Sequence, residues 1–140
     1  MRTRAAVLRK AGTPWEITEL ELDPPKANEV LIQMEAAGLC HSDEHIRARG
    51  TARLPMVGED FGGMCVVGSF AEYAVLSEWS CVKIEDDIPF ELAALVSCGV
   101  TTGFCSATKA GDVRPGDTVV IFGTGGVGMN AVQGAWYAGG

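Results

Sequence analysis

Val119-Val120-Ile121-Phe122-Gly123-Thr124-Gly125-Gly126-Val127-Gly128 is the stretch on which the reading of this chain turns. Four apolar residues, three of them β-branched, predict a buried strand. Gly123, Gly125 and Gly128 follow at GxGxxG spacing, and Met129 to Ala138 predicts a helix. Each glycine has a physical reason: a tight turn, a close backbone approach to a pyrophosphate, and close helix–strand packing. The helix N-terminus then offers unpaired N–H groups and its positive dipole end to phosphate. Gly123, Gly125, Gly126 and Gly128 are therefore candidates for binding a dinucleotide. An acidic residue gripping the ribose is expected about 20 residues further on, past Gly140, so the cofactor half is expected to be missing from this chain.

Upstream, the pattern is β-rich. Residues 4–9 and 15–22 predict short strands separated by Ala11-Gly12-Thr13-Pro14, and Asp23-Pro24-Pro25 ends the second. Residues 29–37 predict a third strand with Val30, Ile32 and Met34 on one face and Leu31 and Gln33 on the other. Residues 38–49 predict a turn and a short polar helix, and residues 69–76 and 81–84 return to strand composition. Then the period changes. Asp86-Asp87-Ile88-Pro89 is a helix-start signal, with a carboxylate cap and a proline in the first turn. A helix is expected over 90–98, a break at Gly99, a second helix over 101–110, and a loop through Arg114-Pro115-Gly116-Asp117 into the final strand.

Composition narrows the class. The chain has 140 residues, 47% of them hydrophobic, and a net charge of −7, which suits a folded domain with a core. Excess acid disfavours nucleic acid and anionic membranes as partners, because both need clustered Lys and Arg. No uninterrupted run reaches about 18 apolar residues, so no membrane span is expected. Met1-Arg2-Thr3-Arg4 is basic but leads into no leader-type apolar core, so the cytoplasm is the expected location. Five cysteines without a CxxC pair point to reduced thiols. By residue type alone Cys65, Cys81 and Cys105 are small core fillers, and Trp15, Trp79 and Trp136 are packing residues.

The segment Gly38-Leu39-Cys40-His41-Ser42-Asp43-Glu44-His45 resembles the first metal-binding stretch of zinc-dependent, medium-chain alcohol dehydrogenases. Gly68-Ser69-Phe70-Ala71-Glu72-Tyr73, Ser97-Cys98-Gly99-Val100-Thr101-Thr102-Gly103, and Arg114-Pro115-Gly116-Asp117 with the glycine-rich turn agree with that family in the same order. The resemblance implies an α/β protein in which a GroES-like catalytic domain joins a Rossmann domain. Here that means a β-rich partial GroES-like domain (residues 1–88), followed by two linking helices and the first β–α unit of the Rossmann fold (89–140). The runs Met64-Cys65-Val66-Val67-Gly68 and Thr101-Thr102-Gly103-Phe104 are most similar to the nicotinoprotein and thiol-dependent formaldehyde dehydrogenase branch.

The resemblance further implies an oxidoreductase moving hydride between an alcohol or aldehyde and NAD(H) or NADP(H), with zinc as the metal. Cys40 and Cys98 match two zinc ligands, and zinc with an open fourth position acts as a Lewis acid on the alcohol oxygen. Ser42 and His45 match a proton relay, and Asp43 matches a carboxylate that orients the site. His41 matches a basic residue at the pyrophosphate, and Thr102 a residue beside the nicotinamide. By residue type alone, His41 and His45 would be solvated side chains and Ser42 and Asp43 a helix cap. A homo-oligomer is a further expectation.

The chain also departs from the family. The family's third ligand is a histidine in a Gly-His-Glu triplet after a Leu-Pro-x-Val-Gly run. Leu54-Pro55-Met56-Val57-Gly58 is present here, but Glu59-Asp60-Phe61-Gly62 follows. Read without a gap, Asp60 takes the ligand slot. Read with a gap, an internal loss removes both that histidine and the family's four-cysteine lobe; this reading explains two absences at once. Lost barrel strands and a lone β–α unit would leave unpaired edges and exposed apolar faces. A truncated and impaired dehydrogenase is expected, with a non-catalytic remnant or assembly module of the same fold as the alternative.

Overall fold

A computed structural model describes residues 1–49 and 67–140. These divide into two compact units, Met1–Asp86 and Asp87–Gly140. Cys65 and the Glu59–Gly62 region, with the ligand reading of Asp60, lie outside the described residues.

The first unit contains two antiparallel pairs. Strand β1 (Arg2–Val7) pairs with β2 (Glu16–Glu21), and β3 (Glu29–Gln33) pairs with β4 (Tyr73–Ser77). In β1 the inward period-two set is Thr3, Ala5 and Val7; in β4 it is Ala74 and Leu76. Val30 and Ile32 are half-buried and Leu31 and Gln33 exposed, as the alternation in the sequence predicts. Residues 70–72 stitch the pairs together: Ala6 N–H donates to the Phe70 carbonyl, Glu72 N–H to Arg4, and Met34 N–H to Glu72. Arg4 donates to Glu72 across the same seam, and Trp15 meets Phe70 edge-on at 5.8 Å. The segment 81–84, expected as a strand, belongs to no ladder and is exposed. Helix α1 (His41–Arg49) follows β3.

In the second unit, α2 (Phe90–Leu95) runs through a π-helical turn (Val96–Val100) into α3 (Thr101–Cys105) and a second π turn (Ser106–Ala110). Gly99 therefore does not break the helix as expected. It sits inside the wide turn, where the Thr101 hydroxyl donates to the carbonyls of Ser97 and Cys98, both at 3.2 Å. A hydroxyl bonding back onto the preceding turn satisfies carbonyls that the widened ladder leaves loose. The expected carboxylate cap is also absent: Pro89 is the cap, and Leu92 and Ala93 N–H both donate to its carbonyl. Once fused, Phe90–Ala110 is 21 residues long and apolar enough to cross a membrane by length and composition. The sequence reading, which took it as two helices, found no such stretch. One face of this rod packs on a neighbouring helix, but only 11% of its apolar window is buried.

That neighbour is α4 (Gly126–Ala138), which starts three residues before the expected Met129, within the glycine-rich turn, and ends at Ala138 as expected. Glycines let the two helices touch backbone to backbone. A Cβ on Gly134 would lie 2.6 Å from the Phe104 carbonyl oxygen, and one on Gly103 would strike the carbonyl of Val127. Gly139, at φ +87°, closes α4 in the left-handed conformation, and its carbonyl accepts from Gly116 N–H in the Arg114–Asp117 loop.

Val119–Phe122 has the composition of a strand but pairs with no strand among the described residues. Val119 and Ile121 are half-buried, whereas Phe122 is 97% exposed. The core is correspondingly thin, and no large side chain among the described residues is fully buried. Cys81, Cys105, Trp79 and Trp136, expected as core or packing residues, are exposed.

Candidate functional site

Two groups of candidate residues lie in the first unit and the second unit respectively. The first group surrounds the start of α1. Asp43 is 5% exposed, and its Oδ2 accepts the Cys40 N–H at 2.8 Å. Its own N–H donates to the Cys40 carbonyl at 3.2 Å. This reciprocal pair satisfies two backbone groups at the helix entrance, the role of a capping-box acid. One carboxylate thus locks the turn that displays Cys40, which is half-exposed. The bond is the helix cap that the residue type alone suggests.

His41, Ser42 and His45 are exposed on the following turn. The two imidazoles meet at 5.1 Å between ring centroids, with planes 70° apart. Glu44 accepts from Arg47 Nε at 2.6 Å and Nη2 at 2.5 Å. Those donated hydrogen bonds hold the Glu44 carboxyl below the usual carboxylate range, with the Arg47 charge and the nearby His41 and His45 adding to the effect. Sequence reading missed this pair, although its i,i+3 spacing was the available signal. An open groove of about 420 Å³ in this unit is lined by Arg4, Ile17, Met34, Phe70 and Glu72 among others, and none of Cys40, His41, Ser42 or His45 borders it.

The second group follows α2. Cys98 is exposed at the centre of the first π turn, and Thr102 is exposed one turn on. The π turn was not legible in the sequence, and such turns recur at functional positions. In the glycine-rich turn, Gly123 has φ +98°, a conformation that disfavours any side chain. A Cβ on Gly128 would strike the carbonyl of Gly123, so the third glycine closes the turn onto itself. Gly125 and Gly126 face open space, with nothing within 4 Å of an added Cβ. Gly125 caps α4, and no acidic residue occupies its first turn. An unobstructed helix N-terminus of this kind fits a pyrophosphate.

No group of three His, Cys, Asp or Glu side chains able to hold an ion occurs among the described residues. Cys40 and Cys98 belong to different units.

No protein-family model matches the chain. It is 38% identical to an NDMA-dependent alcohol dehydrogenase of Amycolatopsis methanolica over 208 residues, covering 99% of this chain and 56% of that protein. It is 33% identical to alcohol dehydrogenase B of Mycobacterium tuberculosis, with 99% of this chain and 56% of the relative covered. The chain thus spans about half the length of the curated relatives it matches. The 208 aligned residues exceed the 140 of this chain, so the first relative carries internal residues with no counterpart here. That excess agrees with the gapped reading. The benzyl alcohol dehydrogenase of Acinetobacter calcoaceticus has the same fold at a TM-score of 0.85 and 23% identity, over 99% of this chain and 56% of that one. A cobalt- and zinc-bound alcohol dehydrogenase of Pyrobaculum aerophilum matches at 0.80 and 24%, over 100% and 57%. The NDMA-dependent relative fits the nicotinoprotein branch, and four collinear motifs, the relatives and the fold agree. These matches fit the medium-chain alcohol dehydrogenase family, to part of whose members nearly the whole of this chain is similar.

Proposed function

We propose that this chain carries part of an alcohol or aldehyde oxidoreductase linked to NAD(H) or NADP(H), with its activity impaired in this form. One observation carries the reading. The glycine-rich turn has the backbone a dinucleotide needs: left-handed Gly123, open space over Gly125 and Gly126, and an uncrowded α4 N-terminus. In this reading residues 1–88 are the catalytic-domain part, and 89–140 are the linking helices and the start of the dinucleotide-binding domain.

The roles divide as follows. Gly123, Gly125, Gly126 and Gly128 hold the pyrophosphate, which hydrogen-bonds to backbone N–H groups at the start of α4. A bound nicotinamide supplies the hydride acceptor or donor. Thr102 lies beside the ring, and His41 contributes a basic group toward the phosphates. Ser42 and His45 pass the alcohol proton to solvent, which their exposure permits. Asp43 fixes the turn bearing Cys40. Cys40 and Cys98 match zinc ligands, but the described residues supply no third. Metal affinity depends on ligand count and geometry, and this is the physical reason for the impairment.

The second reading, a non-catalytic module of the same fold, is favoured by the unpaired Val119–Phe122 segment and the exposed apolar side chains around it. Elemental analysis and NADH absorbance separate the two. Stoichiometric zinc lost in a Cys40→Ser, Cys98→Ser variant, with slow NADH formation from a primary alcohol, supports the oxidoreductase. A zinc-free chain with no turnover overturns it in favour of the module.

A further inference from the structure

We propose that His41 and His45 form a solvent-facing chelate for one first-row divalent ion, separate from the Cys40 and Cys98 positions. The two residues stand one helical turn apart on α1, the spacing at which side chains share a helix face. Both rings are exposed, and neither makes a hydrogen bond to another described residue. Their ring nitrogens therefore remain available as ligands.

Ring separation is the deciding quantity. A metal–imidazole nitrogen bond is about 2.0–2.1 Å, which places the ion about 3.2 Å from each ring centre. Two rings meeting at one ion at angles between a right angle and the tetrahedral value then have centroids about 4.5–5.2 Å apart. The observed separation is 5.1 Å, inside that range, with planes at 70°. Ions that favour imidazole fit this donor set; Ni²⁺ and Cu²⁺ bind such sites more tightly than Mn²⁺ or Fe²⁺. Glu44, kept ionised by Arg47, lies near both rings and adds favourable negative potential. Water completes the remaining positions, since no third protein ligand is present among the described residues. An ion seated here occupies the two imidazoles to which the relay and pyrophosphate roles are assigned, so it acts against the proposed turnover rather than for it.

Ni²⁺ titration of the full chain by calorimetry, in a Cys40→Ser, Cys98→Ser background, tests the chelate. Removing those thiols separates it from the family's zinc positions, and the readout needs no dehydrogenase activity. One ion per chain is expected, and His41→Ala and His45→Ala should each weaken binding roughly tenfold or more, because each removes half of the protein's ligands. Both residues are exposed, so circular dichroism of the variants should match the parent. Binding that survives either histidine substitution unchanged overturns the proposal. So does the absence of Ni²⁺ binding in the Cys40→Ser, Cys98→Ser background.

Discussion

Asp43 is the residue on which the local order of the first candidate group rests. Its carboxylate is buried and accepts the Cys40 N–H. Asp43→Ala leaves that donor without its partner at a helix entrance. The expected loss is about 1–2 kcal/mol in urea denaturation. Asp43→Asn keeps an acceptor oxygen and should lose less. A loss no larger for alanine than for asparagine would mean that the bond adds nothing to stability. The glycine-rich turn offers a second residue-scale test. Gly123→Ala forces a side chain into φ +98°, so it should cost about 1–3 kcal/mol and weaken NADH binding measured by fluorescence. Gly125→Ala meets open space and should leave stability nearly unchanged while obstructing the phosphate. The spacing of these glycines and a separate reason for each were legible in the sequence; that Gly128 closes onto the Gly123 carbonyl was not, because it depends on which carbonyl lies above each Cα.

Among elements, α3 and α4 pack backbone to backbone, and Gly103 and Gly134 set their separation. Gly134→Ala would drive a methyl group to 2.6 Å from the Phe104 carbonyl oxygen. The expected cost is about 1–3 kcal/mol, read as a lower thermal midpoint of the helical signal. The seam of the first unit has a different dependence. Arg4 pairs with Glu72 and Arg9 with Glu16, and the hydrogen bonds from arginine hold both carboxyls below their ordinary range. A carboxylate with a lowered folded pKa stabilises the fold above its unfolded value, and this contribution disappears as the pH falls through the folded one. Urea midpoints should therefore drop between pH 7 and about pH 3, and Glu72→Gln should flatten the change. These pairs are exposed, so the effect should be small and shrink in high salt. Strand alternation and the C-terminal end of α4 could be read from the sequence. Gly99 could not: in isolation it signals a break, and only the Thr101 hydroxyl and the π turn explain its tolerance.

For the whole molecule, the governing fact is the imbalance between apolar content and buried core. The chain is 47% hydrophobic, yet its buried hydrophobic set among the described residues is Ala5, Val7, Ala74, Leu76, Ala107 and Ala135. Phe90, Leu92, Phe122 and Trp136 remain exposed. Exposed apolar surface of this kind binds hydrophobic dyes and associates. The purified chain should enhance ANS fluorescence strongly, with light scattering that rises with protein concentration. A Val120→Thr, Phe122→Ser variant should reduce both. The family was legible from four short motifs because each is set by local chemistry. The sequence alone does not place Cys40 and Cys98 at one ion, since a ligand set is a three-dimensional property. Two thiols 58 positions apart in sequence specify a site only through the fold around them.

The segment Val119–Phe122 lacks a ladder among the described residues, and its amide protons are therefore left to solvent. In heavy water these amides should take up deuterium within the earliest time points, while the interior of α4 lags behind. Anything that later supplies a neighbouring strand, whether another polypeptide or added sequence, would register first as protection at these four positions.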